Sequence, residues 1–220
     1  MILAVETSTR AFSVFIKDGK MEANLEILFS LTHSQGIVQT VDFMIKRAGK
    51  SIKDIEAIYA GLGPGSFTGI RVGLSFANTL SQVLDIPLAG TTSLDILSFE
   101  VDRWNSSIVP FIKSRKEEVY ASFYKNGVRF DEIKVLKANE FIDYIYDVNP
   151  DYLISSNEDF MEVLKPIIEN NKINNSKIDR IKSIKKNFSY PKAKFIPTVV
   201  EREEIPLMRE YLKPVYIRTF

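Results

Sequence analysis

The amino-acid sequence predicts an α/β protein in which mixed β-sheets are flanked by helices. Three strand-like segments precede the first helix-like segment, so the sheet is expected to begin with antiparallel strands. Beyond them, helix-like and strand-like segments alternate, as in parallel strands joined by helical crossovers. The 220 residues include 45% hydrophobic and 26% charged residues, which is typical of an ordinary globular protein. The chain is therefore long enough and apolar enough to bury a substantial core.

The first hundred residues contain the most regular patterns. The dipeptide Asp18-Gly19 separates two strand-like runs and indicates a hairpin. From Ser34 onward, apolar residues recur at helical spacing on one face until Gly49, and a second helix is predicted at 68–84. Short apolar runs predict strands at 2–6, 13–17, 21–31, 55–62 and 87–92.

The second half is patterned less regularly. Ser93 is placed to cap a helix that reaches about residue 103, and Asn126-Gly127 is a strong hairpin signal. Further strands are predicted at 107–112, 118–124, 128–136 and 151–155, and further helices at 138–147 and 198–212. Because 100–106 is polar, we expect lobes at 1–103 and 104–220, with the final helix packing back on the first lobe.

Composition excludes several classes of protein and site. A net charge of +1 argues against a polycationic nucleic-acid binder. The absence of cysteine excludes disulfides, thiolate catalysis and cysteine-ligated metals, and the single histidine, His33, excludes a histidine-rich metal site. The N-terminus lacks the features of a signal peptide, and no apolar run approaches the roughly 18–20 residues of a membrane span. A cytoplasmic protein without membrane contact is expected.

Five of the ten glycines fall in one run, GLGPGSFTGIRVG at 61–73. The run lies between a predicted strand and a predicted helix, where backbone N–H groups and a helix N-terminus bind anions. It lacks the lysine of a P-loop and the third glycine of a dinucleotide-binding motif. Since ligands of α/β sheets also bind at strand ends, the candidate nucleotide- or anion-binding residues are Thr7, Ser8, Gly63, Gly65, Ser66 and Thr68.

Two other interpretations of the glycine run remain open beside the first. Gly63-Pro64-Gly65 is suited to a tight turn that needs no ligand. Glycine inside a helix costs about 0.5–1 kcal/mol relative to alanine, so the helical glycines require a packing reason. The stripe that they begin faces either a partner's helix or the core of the same chain. Small residues recur every four positions and stack on one helix face, at Gly65, Gly69, Gly73, Ala77 and Ser81.

Three further features have a structural interpretation beside a functional one. Glu6, at the end of the first strand, is placed to act as a base or a metal ligand, but a lone acid there also forms a hydrogen-bonded turn. His33 precedes the first helix, and no second histidine stands four residues on. The lysine-rich stretch 165–194 is a candidate contact for RNA phosphates or a solvated surface.

Four segments together resemble one protein family. They are the opening ILAVETST, the pair His33-Ser34, the run GLGPGSFTGIRVG, and PVYIR near the end. These segments resemble the bacterial TsaB (YeaZ) family, and the glycine run is highly specific for that family and its catalytic paralogue. The resemblance implies a two-lobed fold like that of actin, Hsp70 and sugar kinases (the ASKHA fold). Glu6 and Lys113-Ser114 depart from the family pattern, where aspartate and Asp-Ala are common.

The resemblance also implies a function and a set of partners. The chain is expected to be a non-catalytic scaffold or activator that pairs with a TsaD-like subunit for threonylcarbamoyl modification of the anticodon-adjacent adenosine of tRNA. A TsaE-like ATPase is expected to join this pair. ATP and metal are expected on the partner subunits, and this chain is expected to require no cofactor of its own. Any contact with tRNA is expected to be indirect. An independent nucleotide-binding phosphotransferase of the same fold is the alternative.

The family's mode of pairing implies an interface. The two first-lobe helices would pack against the same helices of the partner, or of a second copy in a homodimer. Small residues in one of these helices would permit close approach, and apolar neighbours would supply burial. The residues expected at this interface are Ile37, Val41, Met44, Ile45, Gly69, Ile70, Gly73, Ala77 and Leu80.

Overall fold

The computed structural model describes residues 1–28, 36–101, 105–115, 118–169, 176, 179 and 184–217. The chain forms two compact units, of which the first combines Met1–Ile96 with Pro191–Tyr216 and the second is centred on Leu97–Tyr190. The sequence placed the boundary after residue 103 and predicted that the final helix packs back on the first lobe. In the structure the boundary follows Ile96, and Pro191–Tyr216, which includes that helix, lies in the first unit. His33, Ser34 and much of the lysine-rich stretch lie outside the described residues.

The first unit is built on a five-stranded mixed sheet. Its strands are β1 (Ile2–Glu6), β2 (Ala11–Asp18), β3 (Met21–Leu28), β4 (Ala57–Gly61) and β5 (Leu88–Thr91). In space their order is β3-β2-β1-β4-β5. β2 is antiparallel to both β1 and β3, while β4 is parallel to both β1 and β5. The carboxyl ends of β1, β4 and β5 therefore share one edge of the sheet.

Two long helices cover one face of this sheet. They are α1 (Ile37–Arg47) and α2 (Phe67–Leu84), and a short α3 (Ser93–Leu97) follows β5. The apolar sides of α1 and α2 join Leu3 and Val5 in one buried cluster, because alternate residues of a strand point to the same face. Ser66 caps α2: its hydroxyl oxygen accepts a hydrogen bond from the Gly69 N–H at 3.2 Å.

The second unit contains a second mixed sheet. Its strands are β6 (Ser107–Lys113), β7 (Glu118–Ala121), the short hairpin β8 (Tyr124–Lys125) and β9 (Val128–Arg129), β10 (Lys134–Lys137), β11 (Tyr152–Ser155) and β12 (Lys185–Phe188). Two helices, α4 (Ala138–Val148) and α5 (Asn157–Glu169), contribute Phe141, Ile145, Val163 and Leu164 to its core. This core also contains Val109 and Phe111 from β6.

The two units repeat one topology. In the second unit the order is β10-β7-β6-β11-β12, with β7 antiparallel to β6 and β10, and β11 parallel to β6 and β12. Leaving out the β8–β9 hairpin, this is the order and sense of the first sheet. The crossover helices also correspond, since α4 and α5 occupy the chain positions of α1 and α2. The predicted fold class, an α/β protein with mixed sheets flanked by helices, is confirmed.

The end of the chain returns to the first unit. A short helix, α6 (Ile196–Arg202), buries Ile196 and Val200 in a cluster with Ala4 and Phe15, on the sheet face opposite α1 and α2. Residues 205–216, here named the C-terminal strap, follow it in a mainly irregular conformation. Within the strap, Met208 and Leu88 exchange two backbone hydrogen bonds, at 2.8 and 2.9 Å. These bonds cover part of the edge that β5 would otherwise leave unpaired.

Some predicted elements were wrong in extent. The helix predicted at 198–212 ends at Arg202, because Glu204 adopts a positive φ of 52° and Pro206 cannot continue a helix. The strand predicted at 128–136 is split into β9 and β10. Between these strands the Asp131 carboxylate accepts a hydrogen bond from the Phe123 N–H at 2.7 Å. Helix α5 and strand β12 were not predicted.

Candidate functional site

The carboxyl end of β1 carries three polar residues that are almost fully buried. Glu6, Thr7 and Ser8 are 0%, 1% and 1% exposed. The Thr7 hydroxyl donates to the Gly69 carbonyl at 2.7 Å, and the Ser8 carbonyl accepts from the Ser66 N–H at 2.6 Å. Both bonds join the end of β1 to the start of α2, so this segment is packed against the glycine run of its own chain.

Two glycines of the run leave room for the backbone at the end of β1. A β-carbon added to Gly65 would lie 2.1 Å from the Ser8 carbonyl oxygen, and one added to Gly69 would lie 2.1 Å from the Thr7 carbonyl oxygen. Gly65 also has a φ of +155°, which is at the limit of what other residues adopt. The close approach predicted for the stripe is therefore made to a loop of the same chain.

Two more glycines leave room for side chains of the same segment. A β-carbon on Gly61 would lie 1.6 Å from Oε2 of Glu6, and one on Gly73 would lie 2.2 Å from Oγ1 of Thr7. The Glu6 carboxyl group thus occupies the space beside Gly61 that any other residue would fill. Four of the five glycines in the run adjoin the Glu6–Ser8 segment.

The turn interpretation of the run is also confirmed. Gly63 has a φ of +85° and precedes a cis peptide bond to Pro64. Its carbonyl accepts a hydrogen bond from the Ser93 N–H at 2.8 Å, and the Ser93 hydroxyl donates to the Ser8 hydroxyl at 2.7 Å. These bonds tie the turn to the ends of β1 and β5.

The predicted anion-binding residues therefore differ in their exposure to solvent. Thr7, Ser8 and Gly63 are buried and bonded within the chain, while Ser66 and Thr68 are exposed at the start of α2. The sixth candidate, Gly65, packs against the Ser8 backbone. The end of β1 occupies the positions of added β-carbons at four glycines of the run, whereas the start of α2 is open to solvent.

Glu6 is the most perturbed acid at this edge of the sheet. Its Oε1 accepts the Ser8 N–H at 2.5 Å, whereas its buried Oε2 has no hydrogen-bond partner among the described residues. Burial raises the pKa of the Glu6 carboxyl from 4.5 to about 7, and the hydrogen bonds from Ser8 and Thr7 lower it by less. Near neutral pH the group is therefore poised between its acid and its carboxylate form.

The predicted interface residues are core residues of the first unit. All nine are buried, and the exposure of each apolar side chain among them is 9% or less. The seven apolar side chains belong to the cluster that covers the sheet. The nine residues are Ile37, Val41, Met44, Ile45, Gly69, Ile70, Gly73, Ala77 and Leu80. They are buried because the most apolar side of an amphipathic helix faces its own sheet. These side chains are therefore covered by their own sheet rather than exposed to a partner.

Other residues of α1 and α2 are turned outward. Val38 and Phe43 of α1 are 61% and 55% exposed, and Val83 of α2 is 75% exposed. On α2, one face at helical spacing combines small and apolar residues: Thr68, Val72, Ser75, Thr79 and Val83. We call these five residues, with Val38, Phe43 and the half-buried Phe76, the outer helix surface. This surface was not predicted, although Thr68, Ser75, Thr79 and Val83 share one face at helical spacing in the sequence.

A separate cavity lies on the other side of the first sheet. It has a volume of about 810 Å³, and its walls include Ile2, Phe15, Lys17, Tyr59 and Phe195. Ile2 and Lys17 lie at the opposite end of β1 and β2 from Glu6, so the cavity is distinct from the glycine run. Burial and the nearby Glu201 carboxylate raise the pKa of the Tyr59 hydroxyl above its usual value.

Neither a metal site nor a membrane-spanning helix is found in the part of the chain that the structure describes. Within those residues, no group of three or more histidine or acidic side chains is arranged to hold a metal ion. The helices described are also too short or too polar to cross a membrane.

A family model matches more than half of the chain. The model is TsaD, described as tRNA N6-adenosine threonylcarbamoyltransferase, and the match covers residues 28–143. It runs from the end of β3 through α1, the glycine run and α2, and then into the first strands and helix of the second unit.

Curated relatives with TsaB names match a similar share of the chain. Over 133 residues the chain is 35% identical to the Escherichia coli K12 protein named tRNA threonylcarbamoyladenosine biosynthesis protein TsaB. Over 130 residues it is 29% identical to the Bacillus subtilis 168 protein of the same name. Each match covers 58% of this chain and 57% of the relative. The chain thus spans little more than half the length of the curated relatives it matches.

Two solved structures share the fold along nearly the whole chain. YeaZ from Pseudomonas aeruginosa has a TM-score of 0.76 at 20% identity, covering 98% of this chain and 99% of its own. A Pseudomonas aeruginosa protein described as similar to peptidase YEAZ has a TM-score of 0.75 at 21% identity, covering 99% of both chains. The chain therefore belongs to the family of the TsaD model, tRNA N6-adenosine threonylcarbamoyltransferase.

Proposed function

We propose that this chain takes part in tRNA threonylcarbamoyladenosine biosynthesis as a non-catalytic scaffold or activator that pairs with a TsaD-like transferase. Its relatives named TsaB and the matching transferase family support the process. One observation carries the non-catalytic role: Glu6, Thr7 and Ser8 fill the space beside the glycine run. Because this segment occupies the positions that side chains at Gly61, Gly65, Gly69 and Gly73 would need, we infer that these glycines serve packing within the chain.

The outer helix surface is the proposed docking site for the transferase. On α2 it places the small side chains of Ser75 and Thr79 between Val72 and Val83, so a partner helix can approach closely and bury Val83. In the absence of the transferase, a second copy of the chain would cover the same surface as a homodimer. We further propose that a TsaE-like ATPase joins the pair, that ATP and metal bind the partner subunits, and that tRNA contact is indirect.

Co-purification tests the pairing directly. The chain and the TsaD-like protein of the same organism should co-elute in size-exclusion chromatography as one complex. If no complex forms, and tRNA isolated from cells lacking this chain carries normal threonylcarbamoyladenosine, the scaffold function is overturned.

A glutamate substitution on the outer helix surface should separate docking from folding. Val83→Glu is expected to weaken transferase binding at least tenfold, because it places a charge in an apolar contact, while leaving the melting temperature unchanged. Val128→Glu is the matched control, since Val128 is 58% exposed in the second unit. By contrast, Ala77→Glu should unfold the protein, because Ala77 is 0% exposed in the core. Equal binding by the Val83 and Val128 variants would exclude this surface.

An independent nucleotide-binding phosphotransferase remains the second candidate. The exposed hydroxyls of Ser66 and Thr68 at the start of α2 favour it, because a helix N-terminus attracts anions. We expect isothermal titration calorimetry of the isolated chain to give no saturable heat with Mg-ATP. Saturable binding that Thr68→Ala abolishes would support the phosphotransferase instead. Thr68 is the informative position because Thr7 is buried and its replacement would also disturb packing.

A further inference from the structure

The C-terminal strap runs antiparallel to α2 along its side. Arg209 pairs with Asp85 just after α2 ends. In the middle of the helix, the Asn78 side chain donates to the Leu212 carbonyl at 3.0 Å and accepts the Leu212 N–H at 2.9 Å. Near the start of the strand-to-helix turn, the Val215 N–H donates to the Leu62 carbonyl at 2.9 Å. The strap is thus fixed at successive points from the end of α2 to its beginning.

This course of the strap brings Tyr216 to the first turns of α2. Nε of Arg71 donates a hydrogen bond to the Tyr216 hydroxyl at 3.3 Å. The guanidinium carbon of Arg71 lies 3.8 Å from the centre of the Phe67 ring, and the Phe67 and Tyr216 rings are 5.9 Å apart. Both rings are 52% exposed, and Arg71 is exposed with them. Tyr216, from the segment PVYIR, therefore supplies one side of an exposed aromatic–arginine cluster.

Two contacts orient the Arg71 guanidinium, one with the Phe67 ring and one with the Tyr216 hydroxyl. Among the described residues, neither Nη group of Arg71 has a hydrogen-bond partner. The planar fork of a guanidinium matches a carboxylate with two parallel hydrogen bonds, and holding it in advance reduces the entropy lost on binding. Contact with an aromatic face further stabilises the cation in this position.

The surroundings of Arg71 favour a protein carboxylate over a nucleic-acid phosphate. Helix α2 contains no other charged residue in its sequence FTGIRVGLSFANTLSQVL. A nucleic-acid site would need several cations side by side, since its affinity comes from neutralising successive phosphates. Among the described residues of the strap, Arg209 is already paired with Asp85, and Lys213 is exposed. Arg71 is the one cation of α2 and borders its small and apolar residues Thr68, Val72 and Ser75. That is the arrangement of a charged contact at the rim of a protein interface.

We propose that Arg71, oriented by Phe67 and Tyr216, binds a carboxylate of the transferase partner, so that the C-terminal strap forms part of the docking surface. The proposal rests on the proposed function and adds to it a specific charged contact. Tyr216 is a positioning residue, since it acts through the arginine.

Affinity measurements of four variants with the TsaD-like protein test the contact. Arg71→Lys keeps the charge but loses the fork, and is expected to weaken binding about tenfold. Arg71→Ala should weaken it at least as much and should also reduce the dependence of affinity on salt. Tyr216→Phe should weaken it a few-fold with an unchanged melting temperature. Arg129→Lys, the same change on an exposed strand of the second unit, is the control and should bind like the wild type.

The outcomes separate this proposal from the function on which it rests. If the wild type binds the transferase and Arg71→Lys and Arg71→Ala bind equally well, the carboxylate contact is wrong and the pairing stands. If the wild type does not bind, both are overturned. If the Arg71 variants instead lose affinity for tRNA in a gel-shift assay while retaining the transferase, the cluster is a phosphate contact and the proposal fails.

Discussion

Replacing Gly69 with alanine is expected to destabilise the protein by about 2–3 kcal/mol, although alanine is the better helix former. In an exposed helix this change would gain about 0.5–1 kcal/mol. At Gly69 the new methyl carbon would lie 2.1 Å from the Thr7 carbonyl oxygen, which is backbone and cannot rotate away. The end of β1 must then move from α2, and the hydrogen bond from the Thr7 hydroxyl to the Gly69 carbonyl would be strained.

Urea unfolding followed by circular dichroism measures this effect. Ser75→Ala, on the exposed side of the same helix, is the control and should change the free energy of unfolding by less than about 0.5 kcal/mol. Gly73→Ala should cost less than Gly69→Ala, because its β-carbon would meet the Thr7 side chain, which can change rotamer. A Gly69→Ala protein as stable as the wild type would show that the end of β1 does not pack against α2.

The glycine run shows how far the sequence could lead. Repetition every four residues predicts correctly that Gly69 and Gly73 share a helix face and that something approaches it closely. Spacing alone does not say what approaches, and the answer was the end of β1 rather than a second helix. That contact joins residues more than sixty positions apart, so it depends on the sheet order, which places β1 beside β4.

The residues predicted for the interface are buried for a related reason. Helical periodicity identifies the apolar side of α1 and α2, but that side is the one that covers the sheet, as Val41 and Ala77 demonstrate at 2% and 0% exposure. The solvent-exposed sides of α1 and α2 carry fewer apolar residues, which are isolated along the sequence, such as Phe43 and Val83. It becomes visible only once burial is known, because single exposed apolar residues are common on protein surfaces.

The fold class was predictable because it depends on the order of strands and helices along the chain. That order can be read from the spacing of apolar residues within each segment. Extents were less predictable where one residue overrides a pattern. Pro206 ends a helix-like charged segment, and Asp131 interrupts a strand-like one by bonding the Phe123 backbone. The return of the final helix to the first unit was predicted, but the extent of the returning segment, Pro191–Tyr216, was not. That extent depends on tertiary contacts with the β5 edge and with the side of α2.

Glu6→Gln is expected to change how the stability of the protein depends on pH. The folded-state pKa of Glu6 is raised from 4.5 to about 7 by burial. For an acid shifted in this direction, the unfolded chain releases its proton first, so the free energy of unfolding falls as pH rises from 4.5 to 7. Above pH 7 the buried Glu6 carboxylate lowers the free energy of unfolding by about 3 kcal/mol. Below pH 4.5 the group is protonated in both states, and this loss of stability disappears. Glutamine does not titrate, so this loss should be absent in the variant.

The comparison to make is the difference in free energy of unfolding between variant and wild type at pH 5 and at pH 8. The free energy of unfolding of Glu6→Gln, relative to the wild type, should be about 2–3 kcal/mol higher at pH 8 than at pH 5. Its absolute stability is not the readout, since the amide places an unpaired donor where the orphaned Oε2 lies beside Gly61. Glu26→Gln, the same change on the exposed edge strand β3, controls for the loss of one charge. A difference that stays constant with pH would mean that Glu6 is already ionised in the folded protein and that a cation or water compensates it.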